Sequence, residues 1–246
     1  TQGFCGPRTR EPETIANQKR HRRMVAEIAV IFDMDGVLVD TFEAHLESWN
    51  VVAHEEGAEM TRQQFAETFG RTSRDIIAML WPEKADDADA VRQFDDRKEE
   101  AFREIIAKDF PAMPGVGKLL RSLAADGIAM AVGSSGPTEN VALVVEKLGA
   151  GAWLGALITA NDVTRGQPNP QVFLLAAERL GIAPERCIVV EDAQAGVAAA
   201  RATGMRCVGI ASTGRTRDEL ADADVVIDSL SELTPDVFRQ LANGTT

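Results

Sequence analysis

Six short apolar runs recur along the chain: EIAVIFD (27–33), IAMAVGS (128–134), ALITA (156–160), CIVVED (187–192), CVGIAS (207–212) and VVID (225–228). Each is too short for a helix and dense in Val, Ile or Ala, the pattern of strands buried on both faces. Between the later runs, PTENVALVVEKLGA, NPQVFLLAAERLGI and AQAGVAAARATGM space their apolar residues three and four apart and end near glycine. That spacing predicts helices with glycine caps. Strand alternating with helix predicts an α/β fold, a Rossmann-like open parallel sheet covered on both faces.

One interval breaks the rhythm. Roughly 90 residues separate the first run from the second, and they hold no good strand candidate. Segments 41–57, 61–69, 72–81 and 88–109 read instead as helices rich in Ala, Glu and Arg. Four helices exceed a single crossover, which predicts a small all-helical domain over 41–112, inserted after the first strand. PGV (114–116) marks the return to the sheet. The core domain is then 24–40 together with 113–246.

Charge narrows the partners. The chain has a formal charge of −12 over 246 residues. Residues 1–23 carry six Lys/Arg and two Asp/Glu, so they hold +4 and the remainder −16. A body this acidic argues against nucleic acid or an anionic membrane as partner, while leaving room for small phosphorylated ligands held by a local cation. No apolar run approaches the length of a membrane span. Residues 1–23 lack apolar periodicity and the apolar core of a secretory signal, and are expected to be a disordered or artificial arm preceding Met24. Cys5, Cys187 and Cys207 are widely spaced, and the last two adjoin apolar runs, so buried reduced thiols and a cytoplasmic location are expected. A monomer or weak dimer is the expected state.

In an open parallel sheet, ligands collect at the carboxyl ends of the strands. Here those ends carry Asp33 and Asp35, then Ser134, then Glu191 and Asp192. Each acid taken alone could cap the following helix, but four carboxylates facing one crevice repel unless a cation lies among them. Hard oxygen donors in that number favour Mg²⁺. With the chain turning at Gly36, Asp33 can reach the crevice as a nucleophile and Asp35 can serve as acid and base. Ser134 and the amides of Ser135 and Gly136 precede a helix starting near Pro137, an arrangement suited to phosphate oxygens.

DMDGVLVDT, VGSSG, QPNPQVF and VVEDAQAG resemble, in order, the four sequence motifs of the haloacid dehalogenase superfamily, and the match covers nearly everything after Met24. The resemblance implies Asp33 as aspartyl-phosphate nucleophile and Asp35 as general acid/base. It also implies Mg²⁺ held by Asp33, the Asp35 carbonyl and Asp192, with Glu191 assisting. The second Asp points to phosphoryl transfer rather than dehalogenation. The helical insert resembles the cap of the β-phosphoglucomutase subgroup. DTFEAHLESW is similar to that subgroup's signature and marks Thr41, His45 and Trp49; RTSRD and RKEEAF mark Arg74 and Lys98 as substrate-facing cations. Read without the resemblance, His45 is an ordinary half-buried histidine, Trp49 is packing, and Arg74 and Lys98 belong to a solvated face. The implied activity is that of a phosphatase or phosphohexomutase acting on a small phosphorylated metabolite, a sugar phosphate being favoured.

One motif departs from the family. A lysine is expected where this chain has Gln167, and commonly an aspartate where it has Asn169. Glutamine donates hydrogen bonds but carries no charge, and losing a charge that stabilises the transition state costs on the order of 10² to 10³ in rate. Arg165 could supply the charge, the enzyme could run slowly with Mg²⁺ alone, or the chain could bind a phosphorylated ligand without efficient turnover. An introduced Lys→Gln change is a further alternative.

Overall fold

A computed structural model describes residues 26–68, 73–212 and 214–244. The arm predicted over 1–23 lies outside the described residues. The six apolar runs form six parallel strands: β1 (Ala29–Phe32), β2 (Ala129–Gly133), β3 (Leu154–Ile158), β4 (Cys187–Glu191), β5 (Arg206–Ile210) and β6 (Val225–Ile227). They assemble in the order β3-β2-β1-β4-β5-β6, placing β1 between β2 and β4. The chain therefore starts at the centre of the sheet and reverses its winding there, and a crevice opens at such a switch point.

Side-chain alternation along the strands sorts the core into two layers. Val30 and Phe32 of β1, with Val132, Val190 and Val208, face one side. They pack there against helices α5 (Val116–Ala125), α6 (Thr138–Leu148) and α9 (Pro235–Ala242). Ala29 and Ile31, with Ala131, Val189 and both described cysteines, face the other, under α7 (Gln171–Leu180) and α8 (Gln194–Ala202). Cys187 and Cys207 are fully buried free thiols, and burial pushes Cys187 up to about 11. Among the described residues no helix is long and apolar enough to cross a membrane.

The interval after β1 is helical: α1 (Phe42–Glu55), α2 (Arg62–Thr68), α3 (Ser73–Leu80) and α4 (Ala88–Lys108). Phe42, Trp49, Val52, Phe65, Ile77, Trp81 and Phe94 pack these four around their own hydrophobic cluster. Helix α4 starts on the Asp87 side chain, which accepts the amides of Asp89 and Ala90 at 2.9 and 3.1 Å, a capping arrangement that satisfies two otherwise orphaned donors. Its far end contributes Phe102 and Ile106 to the sheet's cluster, so one helix belongs to both. The chain leaves and re-enters over paired segments: the Asp40 amide donates to Pro111 O at 2.8 Å and the Met113 amide to Leu38 O at 3.1 Å.

Two helices were not anticipated from the pattern. PGV does not lead straight into β2; it opens α5, whose Val116, Leu119, Leu120 and Leu123 bury one stripe. The C-terminal α9 is equally additional, with Pro235 at its first turn and the Thr234 hydroxyl accepting the Val237 amide. Strand ends shift slightly: β3 begins two residues before ALITA, and β5 stops at Ile210, where Ala211 pairs with Ile227 O instead.

Candidate active site

The loop after β1 brings its acids to the crevice by a tight turn. The Asp33 amide extends the sheet ladder to Val190 O at 2.9 Å, and the Leu38 amide then closes on Met34 O at 2.8 Å. Gly36 makes the turn with φ +71°, and a Cβ there would lie 2.6 Å from Asp192 Cγ. Glycine is therefore required twice over at this point, by conformation and by the close approach of the two loops.

At the tips of β1 and β4, Asp33, Glu191 and Asp192 are 8%, 1% and 5% exposed, and one carboxylate oxygen from each lies within 4.8 Å of the others. Burial, then the neighbouring Glu191, Asp35 and Asp192, holds the Asp33 carboxyl well above its usual range. Burial and Asp192 push Glu191 to about 8. Burial takes Asp192 to about 7, against the opposing pull of Arg215. Three buried acids that resist ionisation together are short of positive charge. A divalent cation with oxygen preference answers that shortage, so the donor set fits Mg²⁺.

Asp35 behaves differently. Burial raises it, yet the facing His45 ring, the nearby Thr41 hydroxyl and the Lys98 side chain outweigh burial and leave it below the ordinary carboxylate range. His45 Nε2 lies 3.5 Å from Asp35 Oδ1, and His45 Nδ1 lies 2.9 Å from Lys98 Nζ. A lysine ammonium has only donors, so Nδ1 accepts and the proton sits on Nε2, toward Asp35. Burial and Lys98 lower the His45 pKa, consistent with this neutral ring. The imidazole stacks on Phe102 at 4.2 Å and 10°. Lys98, 5% exposed, also donates to Glu99 at 2.7 Å. The other oxygen of Glu99 accepts from Asn140 of α6 at 2.6 Å, and Asn140 accepts from Arg103 at 3.0 Å. Asp35 is thus joined through His45, Lys98 and Glu99 to the helix that follows β2.

The loop expected to hold phosphate runs from the end of β2 to the start of α6. Ser134 is buried at the end of β2, its amide donating to Ile158 O at 2.9 Å. The Gly136 amide donates to Ser134 Oγ at 3.0 Å, so in this state that amide is used within the loop, while Ser135 is exposed. Thr41 is buried at the start of α1 beside Asp35. Gln167 donates from Nε2 to Glu191 Oε1 at 3.0 Å, while the Ala193 amide donates to Glu191 Oε2 at 2.6 Å.

Two anticipated cations are elsewhere. Arg74 pairs with Asp86 at 2.9 Å and is 64% exposed, because α3 presents it to solvent beside the turn that follows. Arg165 is exposed, and its amide donates to Gln171 Oε1. It therefore does not take the place of the missing lysine in this arrangement. Sequence reasoning overlooked Arg215, whose Nε lies 3.7 Å from Asp192 Oδ2. It follows the end of β5, the kind of position where ligands gather in such a sheet, but no apolar run leads directly into it. Asn140 and Glu99 carried no local signal.

A parallel sheet whose central strand runs into DMDG, with a buried acidic pair at the neighbouring strand's tip, is an α/β fold that gathers carboxylates at one crevice. A family model described as haloacid dehalogenase-like hydrolase matches residues 30–210, and the chain belongs to that family. It is 30% identical over 218 residues to β-phosphoglucomutase of Bacillus subtilis, covering 86% of this chain and 94% of the relative. It is 31% identical over 204 residues to hexitol phosphatase A of Escherichia coli, covering 83% and 92%. Among solved structures, a mutant of CbbY from Rhodobacter sphaeroides in complex with xylulose-(1,5)bisphosphate superposes with TM-score 0.75 at 27% identity, covering 83% of this chain and 95% of that one.

Proposed function

We propose that the protein transfers a phosphoryl group from a small phosphorylated metabolite, of the sugar phosphate class, through a covalent intermediate on Asp33. The carrying observation is the convergence of Asp33, Glu191 and Asp192 within 4.8 Å at the tips of adjacent strands, with Asp35 two residues along on the same turn. The relatives' names, which include a phosphomutase and a sugar-alcohol phosphatase, support the class.

Asp33, Asp192, Glu191 and the loop carbonyl of Asp35 are the residues that would hold Mg²⁺. When bound, the ion offsets the charge of the incoming phosphate. A carboxylate oxygen of Asp33 attacks phosphorus. The bond from phosphorus to the ester oxygen breaks, and that oxygen takes a proton from Asp35. Water or a second hydroxyl then attacks phosphorus, Asp35 takes its proton, and the bond to Asp33 breaks to restore the carboxylate. Ser134 and the following loop hold phosphate oxygens. The surroundings of Asp35, His45 and Lys98 among them, favour its ionised form, the form required for the second step. Service as acid in the first step requires Asp35 to gain a proton and loosen its tie to His45. Helices within 41–112 act as the cap that covers the crevice and limits water, and Arg74 contributes to substrate binding only by leaving Asp86.

The test is hydrolysis of p-nitrophenyl phosphate and a panel of hexose phosphates with Mg²⁺, beside Asp33→Asn. Mg²⁺-dependent turnover abolished by that substitution is expected; absence of turnover on every substrate overturns the enzyme reading. Conversion of β-glucose 1-phosphate to glucose 6-phosphate with a bisphosphate primer separates mutase from phosphatase. A second reading, a binder of phosphorylated ligands with little turnover, rests on the neutral Gln167 against Glu191. It predicts phosphate binding without catalysis.

A further inference from the structure

Among the described residues, few positive charges meet the carboxylates of the crevice. Gln167 brings Glu191 a neutral amide. Lys98 stands behind His45, on the Asp35 side. Arg165 is exposed. Arg215 is the cation placed against the metal-side acids. Its side chain is 19% exposed, and its Nε faces Asp192 Oδ2 at 3.7 Å. The loop delivering it is anchored to the sheet: the Ala211 amide donates to Ile227 O at 2.8 Å, and the Arg215 amide donates to Ser212 O at 2.9 Å. The charge thus arrives from the core of the fold, from the loop at the carboxyl end of β5. A guanidinium presents a planar fork of donors that suits phosphate oxygens.

We propose that Arg215 is the charge-compensating residue of this crevice, supplying from the β5 loop the positive charge that Gln167 does not bring and thereby supporting binding and transfer of the substrate's phosphate. The inference rests on the phosphoryl-transfer reading above. Charge compensation has a signature that a merely structural role lacks. A cation that only orients Asp192 aids Mg²⁺ binding, whereas a cation that compensates negative charge aids an anion and opposes another cation.

The experiment measures affinity for Mg²⁺ alone and for inorganic phosphate at saturating Mg²⁺ by calorimetry, with kcat beside both and thermal unfolding as a check on folding. The proteins are the unaltered chain, Arg215→Gln, Arg215→Lys, Gln167→Lys and the double variant Gln167→Lys/Arg215→Gln. Arg215→Gln is expected to weaken phosphate about tenfold or more, to lower kcat about 10- to 10²-fold, and to leave Mg²⁺ affinity unchanged or tightened. Arg215→Lys recovers most of the loss, and Gln167→Lys recovers phosphate affinity in the Arg215→Gln background. Phosphate affinity and kcat within twofold of the unaltered chain overturn the proposal, as does a loss confined to Mg²⁺. Gln167→Lys alone decides the matter even if Arg215→Gln does not fold. A rise in kcat below tenfold fits a crevice already compensated, and a rise of about 10² or more overturns the proposal. An unaltered chain without Mg²⁺-dependent turnover refutes the reaction itself; an active chain indifferent to Arg215→Gln refutes only this role.

Discussion

Replacing Gly36 by alanine isolates the cost of the close approach between the two acid-bearing loops. Two penalties combine there. Holding alanine at φ +71° costs about 1 to 2 kcal/mol, or roughly 2 to 8 °C in Tm at about 2 to 4 °C per kcal/mol for a chain of this size. The new Cβ would also stand 2.6 Å from Asp192 Cγ, where carbon atoms settle at about 3.5 Å or more. Asp192 must therefore retreat by about 1 Å, and a displacement of that size in a reacting constellation costs about 10²-fold in rate. Gly57→Ala is the matched control, since Gly57 has φ +72° with nothing within 4 Å of a Cβ. Both variants are expected to show the backbone penalty in thermal stability, Gly36→Ala more because of the added contact, but only Gly36→Ala to lose Mg²⁺-dependent kcat/KM, by about 10². The assay is thermal unfolding beside steady-state hydrolysis. Gly36→Ala with the turnover of the unaltered chain would refute the reasoning that Gly36 positions Asp192.

Because Glu191 and Asp192 are raised to about 8 and about 7, the folded chain binds more protons than the unfolded one between pH 4 and 8, so stability falls as pH rises through that window. Chelated protein should therefore unfold at lower temperature at pH 8.5 than at pH 6, and Mg²⁺ should restore more at pH 8.5; an equal Mg²⁺ effect at both would count against the acid cluster as the metal site. Lys98→Met removes a charge that lowers both His45 and Asp35, so the acidic limb of the kcat–pH profile should move to higher pH; a profile unchanged in position would contradict the Asp35–His45–Lys98 linkage. Phe102 is fully buried and stacks on His45, so Phe102→Ala should cost about 3 to 5 kcal/mol, read as a drop of about 6 to 20 °C in Tm.

The sheet was legible because its strands are uninterrupted apolar runs, and nothing else in the chain competes for a two-faced buried position. The helices over 42–108 were legible from spacing and from the absence of strand candidates. The stripe of Leu119, Leu120 and Leu123 is short and follows directly on the turn at PGV, whereas α9 buries only Phe238 and Leu241 and leaves a faint trace. At the site, the strand-end acids stood out because carboxylates are improbable against apolar strands. His45 and Lys98 were anticipated near the crevice only through family likeness; their direct bond is a product of packing α1 against α4. Arg215 comes from a loop remote in sequence, and no periodicity announces which of many arginines will turn inward. Arg74 shows the converse, an arginine in a familiar motif that here faces Asp86 instead.

Helix α4 is embedded at one end among Phe102 and Ile106 of the sheet's cluster and at the other around Phe94 of the cover's own cluster. The cover is consequently not a flap hung on two threads but the long arm of a lever whose short arm is clamped. A movement that parted the two clusters would either flex that helix between Phe94 and Phe102 or lift apolar rings from their seat. The stretch in between carries Lys98 and Glu99. The helix that would bend is therefore the one that holds the ring beside Asp35, and strain in α4 would be felt first at the contact between His45 and Asp35.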